Sequence, residues 1–322
     1  MSIATVSRVI NGNYPVGKKT RQRVLKAMKD LGYSPNHVAR SLALQSTSTI
    51  GVVCTDLKNP YFVEMIEQIQ LVTAGSSLQL LLQNTSVAEN ERDAVQLLLD
   101  RRVDAIIFIA HHEELDDVEH ITSTAKMVPV VLIGQELPGT KVMSICAEEE
   151  QGMYTLGKQL LQLGHRNVLF LGGKEGSHPT EVKLRGLRNA FALNNDVRLE
   201  VELTGYQYTA ANVLEDRIAG GLLQWCTAIV AVSDYVAIGA LNVLDANGIR
   251  VPTDITVTGF DNIFWATCVR PKLTTVEPNK ELLAQNAVHA IMNALDGQAS
   301  IGKVLVPSEL ILRGSHRSII SK

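Results

Sequence analysis

The fold of this chain is indicated by residues 49–62, which read Thr49-Ile-Gly-Val-Val-Cys-Thr-Asp56-Leu-Lys-Asn-Pro-Tyr-Phe62. The apolar run Ile50–Cys54 predicts a buried strand, and the pattern that follows predicts a helix over Tyr61–Ala74. Apolar strands that are each followed by a helix are typical of parallel sheets with helices on both faces. This stretch therefore predicts an α/β fold.

The same alternation continues along most of the chain. Further strands are predicted at Leu78–Gln83, Ala105–Ile109, Val128–Ile133, Val168–Leu171, Ala228–Val232 and Ile255–Gly259. Further helices are predicted near Glu89–Arg101, Gln151–Leu163, Glu181–Leu193, Ala211–Leu223 and Tyr235–Asn247. These elements are too many for one sheet of ordinary size, so we expect two doubly wound parallel-sheet subdomains.

The composition of the chain excludes several classes of protein. With 322 residues, of which 46% are hydrophobic and 20% charged, it is neither disordered nor fibrous. Its apolar runs are shorter than the roughly 20 residues of a membrane span, and no signal peptide is recognisable. Four cysteines without CxxC spacing predict reduced core thiols of a cytoplasmic protein; they are Cys54, Cys146, Cys226 and Cys268.

Charge is distributed unevenly along the chain. Residues 1–46 contain eight Lys or Arg and one acid, Asp30, for a net charge of +7. The remainder carries −10, although the whole chain carries only −3. Helices are predicted over Ser2–Ile10 and Lys18–Leu31, the second with an apolar stripe formed by Val24, Ala27, Met28 and Leu31. A basic helical head on an acidic body suggests that the head binds a polyanion.

Short motifs spread along the chain form one recognisable set. They are Ser2-Ile-Ala-Thr-Val-Ser-Arg-Val-Ile-Asn11, Thr20-Arg21, Gly32-Tyr-Ser-Pro-Asn36, Ala39-Arg40-Ser41-Leu42, Asn59-Pro60-Tyr61-Phe62, Arg102-Val-Asp-Ala-Ile106, Gly164-His165-Arg166, Ala237-Ile-Gly-Ala240, Gly259-Phe-Asp-Asn262 and Pro271-Lys-Leu-Thr-Thr275. Together they resemble the LacI/GalR family of bacterial transcription regulators, and the resemblance covers essentially the whole chain.

The resemblance implies a division into a head, a hinge and a body. The head, residues 1–34, is expected to be a small all-α helix-turn-helix domain, and residues 35–47 a hinge helix with a linker. Residues 48–322 are expected to bind an effector and to dimerise, with a fold of the periplasmic-binding-protein type. Its first subdomain is expected at about 48–146 and 278–307, and its second at about 147–277 and 308–322.

For the head, the resemblance implies that Ser2–Ile10 is the recognition helix in the major groove. Arg8 can pair with a guanine edge, while Ile3 and Ala4 are small or apolar enough to meet a thymine methyl group. Phosphate contacts that set the register on DNA are expected from Thr5, Ser7, Asn11, Thr20 and Arg21.

The segment Asn36–Ala43 resembles the hinge helix of the family. Two such helices of a dimer pack in the minor groove, where a leucine enters between base pairs and bends the DNA. Leu42 occupies that position, so Asn36, Ala39 and Leu42 are expected to contact DNA. The alternative is that Leu42 packs on its own body domain.

The head differs from the family in one respect, because the family head begins with a further helix before the recognition helix. Met1 stands where the recognition helix should start. We therefore expect the head to fold poorly and to bind an operator weakly. A start codon assigned too late would explain this difference, and so would a regulator that lacks specific DNA binding.

In the body, the resemblance implies a small molecule held between two subdomains that close as a hinge. Ligands of parallel sheets bind beyond the carboxyl ends of strands. This rule selects Asp56, Gln135, Ser233, Asp234, Asp261 and Asn262. Among these, the resemblance implies that Asp261 accepts two hydrogen bonds from neighbouring hydroxyls of a sugar.

Further effector contacts follow from the resemblance alone. Tyr61 and Phe62 stand where the family places aromatic rings that stack on a sugar. Lys183, followed by Gly186, stands where the family has a sugar-binding arginine. A second aromatic wall is expected from Tyr206 or Tyr208, with Tyr208 preferred because a threonine follows it.

No motif in the sequence indicates an enzyme, a cofactor or a metal site. The residues His111, His112, Glu113, Glu114 and His120 lack the ligand spacing of a known metal site. We expect a repressor of carbohydrate-utilisation genes that acts in the cytoplasm as a homodimer on a palindromic DNA operator, with a sugar-like effector and no membrane partner. The alternative is a cytosolic sugar-binding sensor without specific DNA binding, because the first head helix is absent.

Overall fold

The computed structural model describes most of the chain. The described residues are 2, 5–6, 8–9, 15–32, 46–76, 78–85, 91–109, 115–137, 139–140, 142–298 and 302–320, of which 115–117 are described in their backbone only. The chain forms two compact units, Met1–Ser48 and Thr49–Lys322, which we call the head and the body.

The described part of the head is helical, as predicted. Helix α1 spans Lys18–Asp30, and four residues before it, Thr5, Val6, Arg8 and Val9, are helical as well. Of the stripe predicted on α1, Val24 is buried, but Leu31 is 81% exposed and Ala27 is exposed. Val24 is thus the residue of the stripe that is buried, whereas Ala27 and Leu31 are exposed.

The body alternates strands and helices. Its strands are β1 (Thr49–Cys54), β2 (Gln79–Asn84), β3 (Ala105–Ile109), β4 (Val130–Ile133), β5 (Met143–Ala147), β6 (Asn167–Leu171), β7 (Arg198–Glu202), β8 (Ala228–Ala231), β9 (Thr256–Thr258), β10 (Thr275–Glu277), β11 (Lys303–Val306) and β12 (Glu309–Ile311). Its helices are α2 (Pro60–Thr73), α3 (Glu91–Asp100), α4 (Leu115–Thr124), α5 (Glu149–Gln162), α6 (His178–Phe191), α7 (Val213–Ala219), α8 (Asp234–Ala246) and α9 (Lys280–Leu295). Short 3-10 helices span Tyr208–Asn212, Leu222–Gln224 and Phe264–Thr267.

Two parallel sheets contain ten of these strands, which confirms the predicted fold class, while β10 and β12 pair antiparallel in a separate two-stranded sheet. The first has six strands in the order β11-β5-β4-β3-β1-β2, and the second has four in the order β7-β6-β8-β9. We call the first sheet with its helices the first subdomain, and the second sheet with its helices the second subdomain. The chain passes between them after β5, after β10 and after β11.

Helices cover both faces of the first sheet, as its apolar strands require. Residues of α2 and α9, such as Met65 and Leu283, pack with Ile50 and Val52 on one face. On the other face, Leu98 of α3 packs with Val53. Burial on both faces explains why these strands are nearly continuous apolar runs.

Some elements differ from the prediction. Strand β7 was not predicted, although Arg198–Glu202 alternates charged and apolar residues as suits its position at a sheet edge. Strands β5 and β10 to β12 and helices α4 and α9 were not predicted either. The single helix predicted at Ala211–Leu223 is divided in the structure, because Gly220 and Gly221 interrupt it and Gly221 has a φ of +87°.

The cysteines are free thiols, and three of them are buried. Burial raises the pKa of Cys54 and of Cys146 to about 11, and that of Cys226 to about 12. Cys268 is exposed, so the prediction of a core position was wrong for this residue. It follows the 3-10 helix Phe264–Thr267, whose aromatic residues are also exposed. Among the described residues, none of the helices has the length and apolar character that a membrane crossing requires.

Helices α5 and α6 of the second subdomain pack closely against each other. Helix α6 approaches α5 so closely at Gly186 that an added Cβ would lie 2.3 Å from the carbonyl oxygen of Glu150. Backbone atoms cannot move away as a flexible side chain can. The position therefore requires glycine, and it sets how α6 lies against α5.

We expect Gly186→Ala to destabilise the body by ~1–3 kcal/mol, since overpacking forces the backbone of α5 to shift. Urea unfolding measures the change. Gly75→Ala is the matched control, because a Cβ there meets nothing within 4 Å and the residue has no positive φ. Equal midpoints for the two variants would contradict the required close approach.

Candidate functional site

A cavity of about 600 Å³ lies between the two sheets of the body. Its walls are formed by residues that follow strands of both sheets and by the first turns of the helices behind them. Parallel strands bring their carboxyl ends to one edge of a sheet, and here these edges of the two sheets border one space. The cavity is therefore the candidate effector site.

The structure brings six of the predicted effector residues to this cavity. They are Asp56, Tyr61, Phe62, Lys183, Ser233 and Asp261. Three predicted residues, Gln135, Tyr208 and Asp234, are not among those that line it, nor is Asn262, which the strand-end rule had selected. Each of these has another place in the structure.

Asp234 is completely buried and joins two backbone segments. Its carboxylate accepts hydrogen bonds from the backbone N–H of Ile263 at 2.9 Å and from the Thr275 hydroxyl at 2.5 Å. Burial, reinforced by the charge of Asp261, raises its pKa well above the ordinary value. Since both oxygens are engaged within the protein, Asp234 supports the loop after β9, whereas Ser233 beside it lines the cavity.

Of the two tyrosines expected as a second aromatic wall, Tyr206 lines the cavity and the preferred Tyr208 does not. Tyr206 lines the cavity, and its hydroxyl contacts those of Ser177 and, at 2.7 Å, Thr180. Tyr208 begins a 3-10 helix, and its hydroxyl accepts a hydrogen bond from Asn242 outside the cavity. Gln135 is buried one residue beyond Gly134, the residue that lines the cavity at the end of β4.

The start of α2 positions two aromatic rings. Asn59 caps the helix by accepting a hydrogen bond from the backbone N–H of Tyr61 at 3.1 Å, and Pro60 occupies the first helical position. The rings of Tyr61 and Phe62 meet edge to face, with centroids 5.5 Å apart. Tyr61 packs against the core of the second subdomain and Phe62 against that of the first. Both subdomains therefore contact this turn.

Lys183 of α6 lines the cavity, and the positive charge of its ammonium is offset there by nearby carboxylates. The Nζ atom lies 3.6 Å from Glu149 Oε2 and 4.1 Å from the centroid of the Phe260 ring. Burial alone would lower the pKa of Lys183, but the carboxylates of Glu149 and Asp261 outweigh it, so the pKa is raised. The lysine is therefore charged, and part of its charge is neutralised by Glu149.

Asp261 brings a buried carboxylate to the cavity from the loop after β9. Only 7% of the residue is exposed, and no hydrogen bond joins its carboxylate to another described residue. Burial raises its pKa to about 7, against a lowering by Lys183 and Lys280. Because Asp261 lines the cavity, its carboxylate oxygens can accept hydrogen bonds from a ligand held there.

One hydrogen bond crosses the cavity between the subdomains. Gln207 Nε2 donates to Asp56 Oδ2 over 2.9 Å, from the loop after β7 to the loop after β1. Both residues line the cavity, so this contact joins its two walls directly.

The sequence prediction missed several residues that line the cavity. They include Thr55, Lys58, Asn59, Glu149, Lys174, Pro179 and Gln207. Each lies within a few residues of a strand end or a helix start. The strand-end rule could have found Lys174, whereas Glu149 follows β5, a strand that was not predicted.

In the head, four predicted DNA-binding residues are described. Thr5 and Arg8 are helical and precede α1, while Thr20 and Arg21 lie in its first turn. Arg8 and Arg21 are exposed. The other predicted DNA contacts lie outside the described residues, namely Ile3, Ala4, Ser7, Asn11, Asn36, Ala39 and Leu42.

The metal-like cluster of the sequence lies largely outside the described part of the chain, which omits residues 111–114. Within the described part, no three His, Cys, Asp or Glu side chains are grouped so that they could hold a metal ion.

Family patterns match both units of the chain. Residues 1–36 match the family described as bacterial regulatory proteins, lacI family, and residues 158–316 match a periplasmic binding protein-like domain. In structure, the chain resembles the lac repressor dimer bound to operator and the anti-inducer ONPF. The TM-score is 0.84 at 27% identity, over 98% of this chain and 95% of that one.

Relatives of similar length carry regulator names. The transcriptional regulator DegA of Bacillus subtilis (strain 168) is 30% identical over 98% of this chain and 94% of its own length. The transcriptional regulator AscG of Escherichia coli (strain K12) is 32% identical over 92% and 89%. With a helical head, two parallel sheets and a cavity between them, the chain belongs to the LacI family of bacterial transcription regulators.

Proposed function

We propose that this regulator is a repressor whose effector is a neutral, sugar-like molecule with adjacent hydroxyl groups. The observation that carries this proposal is Asp261, a buried carboxylate at the cavity with no hydrogen bond from a described residue. Two neighbouring hydroxyls can donate to one carboxylate. The ring of Phe62 in the same cavity offers an apolar face against which the C–H groups of a sugar can pack.

The charges of the cavity favour a neutral effector over a phosphorylated one. Three acids line it, Asp56, Glu149 and Asp261, together with three lysines, Lys58, Lys174 and Lys183. Lys183 stands in the place of an arginine, and its charge is shared with Glu149. The three acids match the three lysines in number, so the cavity has no excess of positive charge for an anionic group, and none of the lysines has the planar fork with which arginine holds a phosphate.

On the DNA side, we propose a homodimer that binds an imperfect palindrome in the cytoplasm and controls carbohydrate-utilisation genes. Support comes from the lacI-family head pattern and from the lac repressor, whose structure is that of a dimer on its operator. We propose Arg8 as a base contact, with Ile3, Ala4 and the hinge residue Leu42 beside it. The effector would change operator affinity by altering how the subdomains lie against each other.

A first test is a thermal-shift screen of neutral sugars with the full chain. A ligand at 100 times its dissociation constant should raise the free energy of unfolding by about 2.7 kcal/mol. We expect Asp261→Ala to abolish the shift, because it removes the acceptor of the sugar hydroxyls. Asp254→Ala is the control, since Asp254 pairs with Arg250 and does not line the cavity. If both variants keep the shift, Asp261 is not the acceptor.

The affinity for such a sugar should depend on pH. With a pKa of about 7, Asp261 is mostly ionised at pH 8 and mostly protonated at pH 6. Because the ionised form accepts two hydrogen bonds, we expect the affinity to fall about tenfold from pH 8 to pH 6. Calorimetric titration measures this change, and a flat profile would contradict the role of an ionised Asp261.

Asp261 should also influence the stability of the ligand-free protein. Its folded pKa of about 7 lies above the ordinary 3.8, so stability present below pH 4 is lost as the pH rises through 7. Asp261→Asn cannot ionise and removes that loss. We expect this variant to be more stable than the parent at pH 8 and nearly equal to it at pH 4, as urea unfolding would show.

DNA binding can be tested by selection from a random duplex library with the full chain at low salt. We expect a palindrome to be enriched even if its binding is weak, because low salt strengthens the phosphate contacts. Arg8→Ala should cost about 1–3 kcal/mol and relax the preference at one base, whereas Arg21→Ala should weaken binding evenly across sequences. Enrichment of no sequence would refute the repressor proposal and favour a sensor without specific DNA binding.

A further inference from the structure

The loop that presents Asp261 has an unfavourable backbone conformation. Asp261 has a φ of +111° and Asn262 a φ of +47°, and Asn279 at the start of α9 has a φ of +60°. L-residues adopt such angles rarely, and they persist where surrounding contacts hold them. Asparagine tolerates the left-handed region of Asn262 and Asn279, but the φ of Asp261 lies outside it, so this loop requires contacts that hold it against the neighbouring segment at the start of α9.

One buried lysine contacts both segments. Lys280, 8% exposed, directs its Nζ to the carbonyl oxygens of Asp261 and, at 3.1 Å, of Asn262. The same Nζ lies 3.2 Å from both carboxylate oxygens of Glu277. The three hydrogens of the ammonium are thus shared among four oxygen atoms, and the Glu277 carboxylate compensates the buried charge.

The same ammonium, at the start of α9, also reaches helix α2. Glu64 Oε2, on α2, lies 3.7 Å from Lys280 Nζ. Glu64 Oε1 accepts a hydrogen bond of 2.7 Å from the backbone N–H of Phe264, three residues after Asp261. Helix α2 also carries Tyr61 and Phe62, so one network joins the carboxylate side of the cavity to its aromatic side.

We propose that Lys280 is a positioning residue of the cavity, which couples the loop of Asp261 to helix α2 through Glu64. A ligand that engages Asp261 then changes the position of α2, and with it the relation of the two subdomains. This link to an effector rests on the proposed function. The coupling itself does not, because its contacts join residues of this chain to one another.

Amide hydrogen exchange of the full, ligand-free chain tests the coupling. In Lys280→Met we expect exchange at least tenfold faster in two segments only, residues 261–264 and residues 60–64. Lys303→Met is the matched control, because Lys303 forms an ion pair with Glu136 at 3.1 Å elsewhere in the body. This control should leave both segments unchanged.

A second variant separates coupling from a general loss of stability. Glu64→Met removes the other end of the network and should also speed exchange in residues 261–264. If the two residues act as one network, the double variant should exchange no faster than Lys280→Met alone. Additive effects, exchange that rises equally in β8, or an unchanged loop in Glu64→Met would each overturn the proposal. Should Lys280→Met not fold, the outcome for Glu64→Met decides.

Because no ligand is used, these outcomes do not depend on the sugar screen. If no sugar binds but the exchange results are as expected, the proposed effector is rejected and the coupling is kept. If a sugar binds through Asp261 but the exchange results are not as expected, the coupling is rejected and the proposed effector is kept.

Discussion

The body depends on one constraint, the crossing of the chain between two parallel sheets. Strands β5, β10 and β11 are each followed by a passage from one subdomain to the other. These passages hold the carboxyl ends of both sheets against one space. Backbone N–H groups at helix starts and loop side chains then converge on the cavity, and each subdomain supplies only part of its wall.

The cavity combines balanced and unbalanced charges. Lys183 shares its charge with Glu149, and Lys280 with Glu277 and Glu64. Asp261 lies near both lysines, yet burial outweighs their effect and its pKa rises to about 7. The carboxylate of Asp261 is therefore the charged group of the cavity whose ionisation changes near neutral pH.

The sequence predicted correctly the features that depend on a short local pattern of residues. The apolar runs of β1 and β3 admitted few other interpretations, and Asp56, Ser233 and Asp261 followed from their places after strands. It failed where neighbouring residues have different partners. Asp234 follows Ser233 directly but faces Ile263 and Thr275, and Tyr206 and Tyr208 differ only in which side of their loop meets the cavity. Such choices depend on contacts with residues far away in the chain.

By itself, the sequence determined the two-sheet α/β body, the basic helical head and most strand ends that border the cavity. Hydrophobic periodicity and turn residues act over a few positions, so they are readable locally. Only the tertiary structure decided that Glu149 neutralises Lys183, that the ring of Tyr206 lines the cavity and that Lys280 joins Asp261 to α2. The two ionic contacts join residues that are more than 15 positions apart or belong to different subdomains. Such residues come close only when the two sheets are assembled.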